Sequence, residues 1–482
     1  MATSWARDRQ RGGQDGAGTA ARLRTAARVA GRSMACLAGG SLLAASGFSW
    51  YTYHDLKSGM TTSHAIEQVQ QANAAGGGGV PPHLDKSVNL LLIGLDSRRD
   101  QDGKDLPRQF VADELNAGNS EIGGYNTNTL ILMHIPADGG RVQAFSIPRD
   151  DYVDLVNVPG GHPLGRGKVK EAYDQAKYYA EQQLSRTYSG AELEHRGRDA
   201  GRAATLLTVQ KLLNQPIDHF AELNLKGFYD VAKVLEPVTV CLKKDADDPT
   251  FARTAATPGG GSGFHGKAGV NQLDASMALA FVRQRHNLPD GDLDRTHRQQ
   301  AFLASVTTKL KQQGVFDDLG KMRGLLDVVK QDVVIDDTWD LLDFAQQATN
   351  LTGGNVEFHT LPIVRFANLP KAGDVNIVDV PAIQATVRQV FGGGAQPGSG
   401  TQPAAGDSAS ATGGDASAPA ADPSTASPST ASPSTADPNS AGPSTGPSTG
   451  PSGSGSPSGT ASPGADQFAG DSVEGGAIPC VY

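Results

Sequence analysis

No lysine or arginine follows Arg388, although the chain runs on to Tyr482. That stretch, from about Gly393 to Asp466, is Ser, Thr, Pro, Gly and Ala with a repeating Pro-Ser-Thr unit. It holds too little apolar surface to offset the entropy of ordering, so disorder is expected there. Excess positive charge is missing too: the net charge is −9, which gives no support to nucleic-acid binding. No G-x-x-x-x-G-K-[ST] loop and no kinase signature is present, so no nucleotide is implied. Cysteine is scarce, at three. Cys36 lacks a lipobox and is not read as lipidated. Cys241 and Cys480 either pair across the tail or remain two thiols.

One absence is local. Between Ser33 and Tyr53 there is no charged residue, and Trp50, Tyr51 and Tyr53 close the run. About 20 uncharged residues ending in aromatics fit a membrane span. The arginines from Arg7 to Arg32 would hold the N-terminus in the cytoplasm, leaving the rest outside as a single-pass protein of the cell membrane. A cleaved signal peptide, with Ala44 and Ser46 near the cut, is the alternative. The expected organisation is a basic arm (1–32), an anchor (33–53), a linker (54–87), one ordered domain (88–392), the disordered tail (393–466) and a short C-terminal segment (467–482).

The ordered middle alternates strand-like and helix-like runs. VNLLLIGL (Val88 to Leu95) is continuously apolar and reads as a buried central strand. Thr129 to Ile135 and Arg141 to Ile147 flank a Pro-Ala-Asp-Gly-Gly turn, an antiparallel hairpin. Helices are expected at Ala200 to Asn214, Leu225 to Leu235, Gln272 to Phe281, Arg295 to Gln312, Asp337 to Thr349 and Pro381 to Phe391. Further strands are expected at Val238 to Leu242 and Val356 to Pro362. This mixture predicts an α/β domain, a mixed central sheet flanked by helices.

Arg283 and Arg285 stand two apart, and on an extended segment they share a face. Two guanidinium groups aimed at one spot call for a multidentate anion, and phosphate suits. Asp292, Arg295 and Gln299 recur at helical spacing behind them. Solvated or ion-paired helix ends are the plainer alternative. Three strand ends deliver more polar groups: Asp96 after GlyLeu, Asn128 before the second strand, and Arg149 after SerIlePro. Strand ends are where α/β sheets place ligand chemistry. Lys168 enters the helix that follows. Apolar faces such as Leu206, Val209 and Leu213 are read as core.

In that order, LLLIGLDSR, NTNTLILMHI, SIPRD, KVKEAY and ALAFVRQR…DGDLDRTHRQQ make the chain resemble the LytR-CpsA-Psr family of envelope phosphotransferases, in its actinobacterial form. The resemblance implies an LCP-like domain. It also implies transfer of a glycopolymer from a polyprenyl-pyrophosphate carrier in the membrane lipid to peptidoglycan, through a phosphodiester bond and with Mg²⁺. Teichoic acid, arabinogalactan and capsule all share that pyrophosphate handle. By position, Asp96 matches the metal-binding carboxylate; Arg149, Lys168, Arg283, Arg285 and Gln299 match pyrophosphate ligands. Asp292 matches a carboxylate near the reaction centre, with Arg295 and Arg298 on the helix behind it. Asp96, Arg149 and Asp292 are the expected catalytic set. Asp292 or Asp96 would accept the sugar hydroxyl proton, or only order metal and arginines.

One motif departs from the family. Asn126-Thr127-Asn128 replaces the usual Arg-Ser-Asp or Arg-Thr-Asp. Asp96 and Asn128 then form a metal site with one carboxylate fewer, and a phosphate-gripping arginine is lost. A polyprenyl-pyrophosphate hydrolase and a non-catalytic glycan-binding envelope protein are the competing readings.

Overall fold

A strand such as VNLLLIGL has no polar face for water and must be covered on both sides. In the computed structural model of the chain it is a central strand. The structure describes residues 59–76, 86–117, 124–250, 260–312, 319–339, 356–392, 473–474 and 478–482. The chain opens with β1 (Thr61–Ser63), α1 (Ala65–Gly76), β2 (Val88–Leu95), a single π-helical turn (Phe110–Glu114), β3 (Thr127–Ile135) and β4 (Val142–Ser146). Next come β5 (Tyr152–Asp154), β6 (Arg166–Lys168), α2 (Glu171–Leu184), α3 (Gly190–Leu213), β7 (His219–Leu223), α4 (Leu225–Leu235), β8 (Val238–Leu242) and β9 (Ala246–Asp248). Then follow β10 (Phe264–Gly266), β11 (Gly269–Leu273), α5 (Ala275–Arg283), α6 (Asp292–Gln312), α7 (Leu319–Asp332) and β12 (Val333–Asp336). The last elements are β13 (Val356–Thr360), β14 (Arg365–Leu369), β15 (Gly373–Ile377), α8 (Val380–Phe391), β16 (Val473–Glu474) and β17 (Cys480–Val481).

Eight strands form one sheet, ordered β1-β12-β7-β2-β3-β4-β13-β16. β2 runs antiparallel to β3 and parallel to β7, and β4 runs parallel to β13, so the sheet is mixed. Successive side chains of a strand point to opposite faces. Leu91, Ile93, Leu130 and Leu132 therefore pack with α1, α3 and α8, while Leu90, Ile131 and Met133 pack on the other face with Ala304 of α6. Truncating a fully buried leucine such as Leu91 to alanine costs ~2–5 kcal/mol. Local signals set the helix starts. Asn224, Asp274 and Asp379 accept the N–H of Gly227, Met277 and Ala382, capping α4, α5 and α8.

Several boundaries differ from expectation. The segment read as a linker supplies β1, which pairs with β12, and α1, whose Ala65, Ile66 and Val69 enter the core. Where a helix was expected from Gln272, residues Gly269–Leu273 pair with β8, and the helix begins only after Asp274. α7 was not anticipated. The expected helix at Asp337 to Thr349 falls largely outside the described residues, as do the anchor (33–53), the basic arm and the tail (393–466). Among the described residues no helix is long and apolar enough to cross a membrane.

Of the two readings of the cysteines, the structure holds the paired one: Cys241 and Cys480 form a disulfide. β17 pairs in parallel with β8, with Cys480 opposite Cys241. Val481 is buried in the cluster formed by α4, α5 and α6.

Candidate functional site

β2 ends in a bulge where its register with β3 shifts between Gly94 and Leu95. A Cβ on Gly94 would lie 2.9 Å from Thr129 Cβ, closer than carbon atoms approach, so glycine is required for the strands to close here. Asp96 leaves the bulge beside Asn128. Its Oδ2 accepts from Asn128 Nδ2 at 2.9 Å, and its Oδ1 pairs with Arg98 Nη1 at 2.9 Å. Asn128 Oδ1 accepts from Arg149 Nη1 at 3.0 Å. Arg149 Nη2 reaches Asp292 Oδ1 at 2.9 Å, and Asp292 Oδ2 holds Arg295 at 3.0 Å. One relay of partners thus runs from the end of β2, past the starts of β3 and the end of β4, to the first turn of α6.

This relay edges a cavity of about 650 Å³. Arg98, Arg149, Arg283, Arg285 and Arg295 line it, against the carboxylates of Asp96 and Asp248, and Gln299 and Asn128 line it as well. Arg283 ends α5, and Gln284 takes an extended conformation and is buried. Arg283 and Arg285 consequently both reach the cavity. Beyond the arginines the wall turns apolar, with Leu223, Leu225, Phe228, Leu279, Phe302 and Leu303.

The cations here are poorly compensated. Arg283 donates to the carbonyls of Leu115 and Asn116, at 2.8 and 3.3 Å. Arg285 makes no hydrogen bond or ion pair within 4 Å among the described residues. Burial, with the charges of Arg98 and Arg285 added, pushes Arg283 down to about 10 despite Asp96. Burial and Arg149 push Arg295 down to about 9 despite Asp292. Arg285 is lowered by burial and Arg149. Arg283 and Arg285 keep solvent-accessible area because they face the open cavity, while protein closes around their other sides. An anion entering the cavity would relieve all three.

The structure brings Asp96, Asn128, Arg149, Arg283, Arg285, Arg295 and Gln299 together at one cavity, with Asp292 tied in through Arg149 and Arg295. Lys168 stands behind it: its ammonium lies 3.8 Å from Asp150, which also pairs with Arg149 and Lys170. Arg298 is not in the cavity, and its assignment as a pyrophosphate ligand is corrected. It is buried with its guanidinium over the rings of Phe264 and Phe281, and its Nε donates to the main-chain oxygen of Tyr482. The C-terminal segment has taken it. Sequence reasoning missed Arg98, although it follows Asp96 by two residues on an extended strand exit. It also missed Asp248 and His286, which line the same cavity 3.1 Å apart.

For a divalent cation the site offers one carboxylate, Asp96, and the neighbouring amide of Asn128. Hard oxygen donors suit Mg²⁺, which completes its octahedron with water and substrate oxygens. The residues fit a weakly held ion, since Arg98 already meets Asp96 and, among the described residues, no second carboxylate joins it.

Fold and cleft define an α/β protein whose strand ends carry an arginine-walled cavity. The chain belongs to the LytR_cpsA_psr family, whose family model matches residues 50–389. It is 35% identical over 327 residues to the cell wall biosynthesis protein LcpA of Corynebacterium glutamicum, covering 67% of this chain and 58% of that protein. The probable cell wall biosynthesis protein LcpB of the same organism is 27% identical over 328 residues, 67% of this chain and 62% of that protein. The chain thus spans about three fifths of the length of these two relatives. TagU of Bacillus licheniformis, a polyisoprenyl-teichoic acid–peptidoglycan teichoic acid transferase, is 23% identical over 302 residues, 62% of this chain and 76% of that protein. The crystal structure of B. subtilis TagV overlaps with a TM-score of 0.43 at 17% identity, covering 64% of this chain and 99% of that one.

Proposed function

We propose that the chain is a membrane-anchored phosphotransferase that moves a glycopolymer from a polyprenyl-pyrophosphate carrier to peptidoglycan, leaving a phosphodiester link. One observation carries the reading: five guanidinium groups and an apolar wall share a single cavity. A diphosphate joined to a long hydrocarbon is the amphiphile that such a wall suits. The names of LcpA and TagU support an envelope role of this kind. The proposed anchor at 33–53 would keep the cleft at the membrane surface, on the extracytoplasmic side, where such a carrier lies.

Phosphoryl transfer needs positioning and charge neutralisation more than covalent help. Arg283 and Arg285 would take the diphosphate oxygens. Arg149 and Arg295, held apart by Asp292, would receive the charge that builds on the leaving polyprenyl phosphate. Gln299 would support the same anion from the side, and Lys168 would add its charge only from behind, past Asp150. Mg²⁺, where bound by Asp96 and Asn128, would neutralise part of the diphosphate charge. No nucleotide is needed, because the pyrophosphate bond already carries the driving energy.

The test incubates the soluble domain with synthetic lipid-linked oligosaccharide, Mg²⁺ and uncrosslinked glycan strands, with product analysis by mass spectrometry. Sugar phosphate joined to peptidoglycan is expected, and Arg283→Ala should lower its yield ~100–1,000-fold while the fold persists. Free glycan phosphate alone would mean a hydrolase, and no turnover would mean a binding protein.

A further inference from the structure

A divalent ion would have to enter at Asp96, and both of its carboxylate oxygens are already engaged. Oδ1 meets Arg98 Nη1 at 2.9 Å, and Oδ2 accepts from Asn128 Nδ2 at 2.9 Å. Arg98 is buried, and its Nε donates to the carbonyl of Ala117 at 2.8 Å, which holds the guanidinium from behind. Its Nη1 also lies 3.4 Å from the carbonyl of Asp96, while Nη2 makes no hydrogen bond among the described residues. Arg98 lines the cavity, so Nη2 is the donor it has left for an anion.

Asn128 completes the arrangement. Its Nδ2 donates to Asp96, and its Oδ1 accepts from Arg149 at 3.0 Å. Turning the amide over would set oxygen against oxygen at Asp96 and N–H against guanidinium at Arg149, so its two partners fix this orientation. The Asn128 oxygen is thus given to Arg149, and an ion can take it only by opening that bond. A carboxylate in its place would stand 2.9 Å from Asp96 and need a cation between them; the amide needs none. Charge balance agrees. Five guanidinium groups line the cavity against Asp96 and Asp248, with Asp292 tied behind, which leaves two positive charges. A diphosphate diester carries two negative ones, and an added divalent ion would overshoot that match.

Resting on the transferase reading above for the nature of the substrate, we infer that Arg98 takes the place of the divalent ion on Asp96. The cleft then grips a diphosphate without a metal, and Mg²⁺ competes with Arg98 for the carboxylate. Arg98 is a further substrate-binding residue, holding Asp96 through Nη1 and a diphosphate oxygen through Nη2. The Asn126-Thr127-Asn128 departure and the Arg98 contact share one explanation: the positive charge at this strand end is built into the chain.

The experiment titrates the full chain, in detergent, with inorganic pyrophosphate by calorimetry, once in EDTA and once in MgCl₂, and separately with MgCl₂ alone. The wild type should bind pyrophosphate in EDTA no more than about threefold more weakly than in MgCl₂. Arg98→Gln should weaken binding in EDTA about tenfold and tighten Mg²⁺ alone, because Asp96 Oδ1 is released. Asn128→Asp should bind about tenfold more weakly in EDTA and regain that loss in MgCl₂, having been made metal-dependent. Thermal melting checks that each variant is folded; if Arg98→Gln is not, the wild type and Asn128→Asp decide. A wild type that loses more than about threefold in EDTA overturns the inference and leaves the diphosphate reading standing. So does an Asn128→Asp variant whose two affinities stay as close as those of the wild type, or a folded Arg98→Gln whose Mg²⁺ affinity is unchanged. A wild type that binds pyrophosphate in neither buffer overturns both readings.

Discussion

Two groups of buried arginines, each at a carboxyl edge of the sheet, meet opposite electrostatic fates. Arg202 of α3 is 4% exposed, as is Arg295 of α6. Arg202 is gripped by both oxygens of Glu222, each at 2.8 Å, and by Asp199 at 2.9 Å. Burial opposes its charge, but Glu222 outweighs burial and the guanidinium is held as a cation more firmly than in water. Nearby, Arg198 is likewise held by Glu194 at 2.9 Å. Arg295 is equally buried, and among the described residues it has one ion pair, with the shared Asp292, and a long hydrogen bond of 3.4 Å to the carbonyl of Asn128; it is pushed down to about 9. Neutralised charge belongs to the architecture. Charge left short of partners marks the cleft, and under the proposed function a bound anion would supply what is missing.

The comparison breaks first if Arg202 proves dispensable. Arg202→Ala strands Glu222, which is buried, and should cost ~3–5 kcal/mol of unfolding free energy in a urea titration. Arg295→Met, by contrast, should leave the urea midpoint near wild type or raise it. The next effect is on ligand affinity. Arg285→Ala should weaken inorganic pyrophosphate about tenfold by calorimetry, ~1.4 kcal/mol, with the wild-type affinity falling as salt rises. Arg198→Met should leave that affinity alone. A smaller effect is expected at the proposed cation site: Asn128→Asp adds a second carboxylate and should tighten Mg²⁺ several-fold, read by calorimetry without substrate. An unchanged titration removes Asn128 from the site.

The smallest effect concerns Asp151, fully buried beside Asp150, whose Oδ1 accepts from Asn376 Nδ2 at 3.0 Å. Burial raises it well above the usual carboxylate range. The folded state then keeps a proton that the unfolded chain releases. Stability is therefore lost as pH rises from about 4 toward the folded titration. Asp151→Asn should flatten that decline in a series of thermal melts across pH, and an unaltered slope would place the proton elsewhere.

Much of the cleft was legible because it is built from strand ends and a short extended break between helices. Period-two spacing put Arg283 and Arg285 on one side, and i, i+3 spacing linked Asp292 to Arg295. The same arithmetic misled at Arg298. Three residues beyond Arg295, it points to a partner 184 residues further along the chain, which no local pattern announces. β1 was invisible for a related reason. Thr61–Ser63 is short and polar, and only its parallel pairing with β12 makes it a strand. β11 was taken into a helix because its strandedness rests on β8, whereas the Asp274 cap that ends it was already written in the sequence. The Asp248 and His286 pair arises from segments that are distant in sequence and share no motif.

The covalent bond between Cys241 and Cys480 alters what a protease can accomplish here. A single cut between Gly392 and Val473 severs the polypeptide yet releases nothing. The two pieces stay linked and should migrate as one band until a reductant divides them. Shedding of the C-terminal peptide would thus need two separate chemical events.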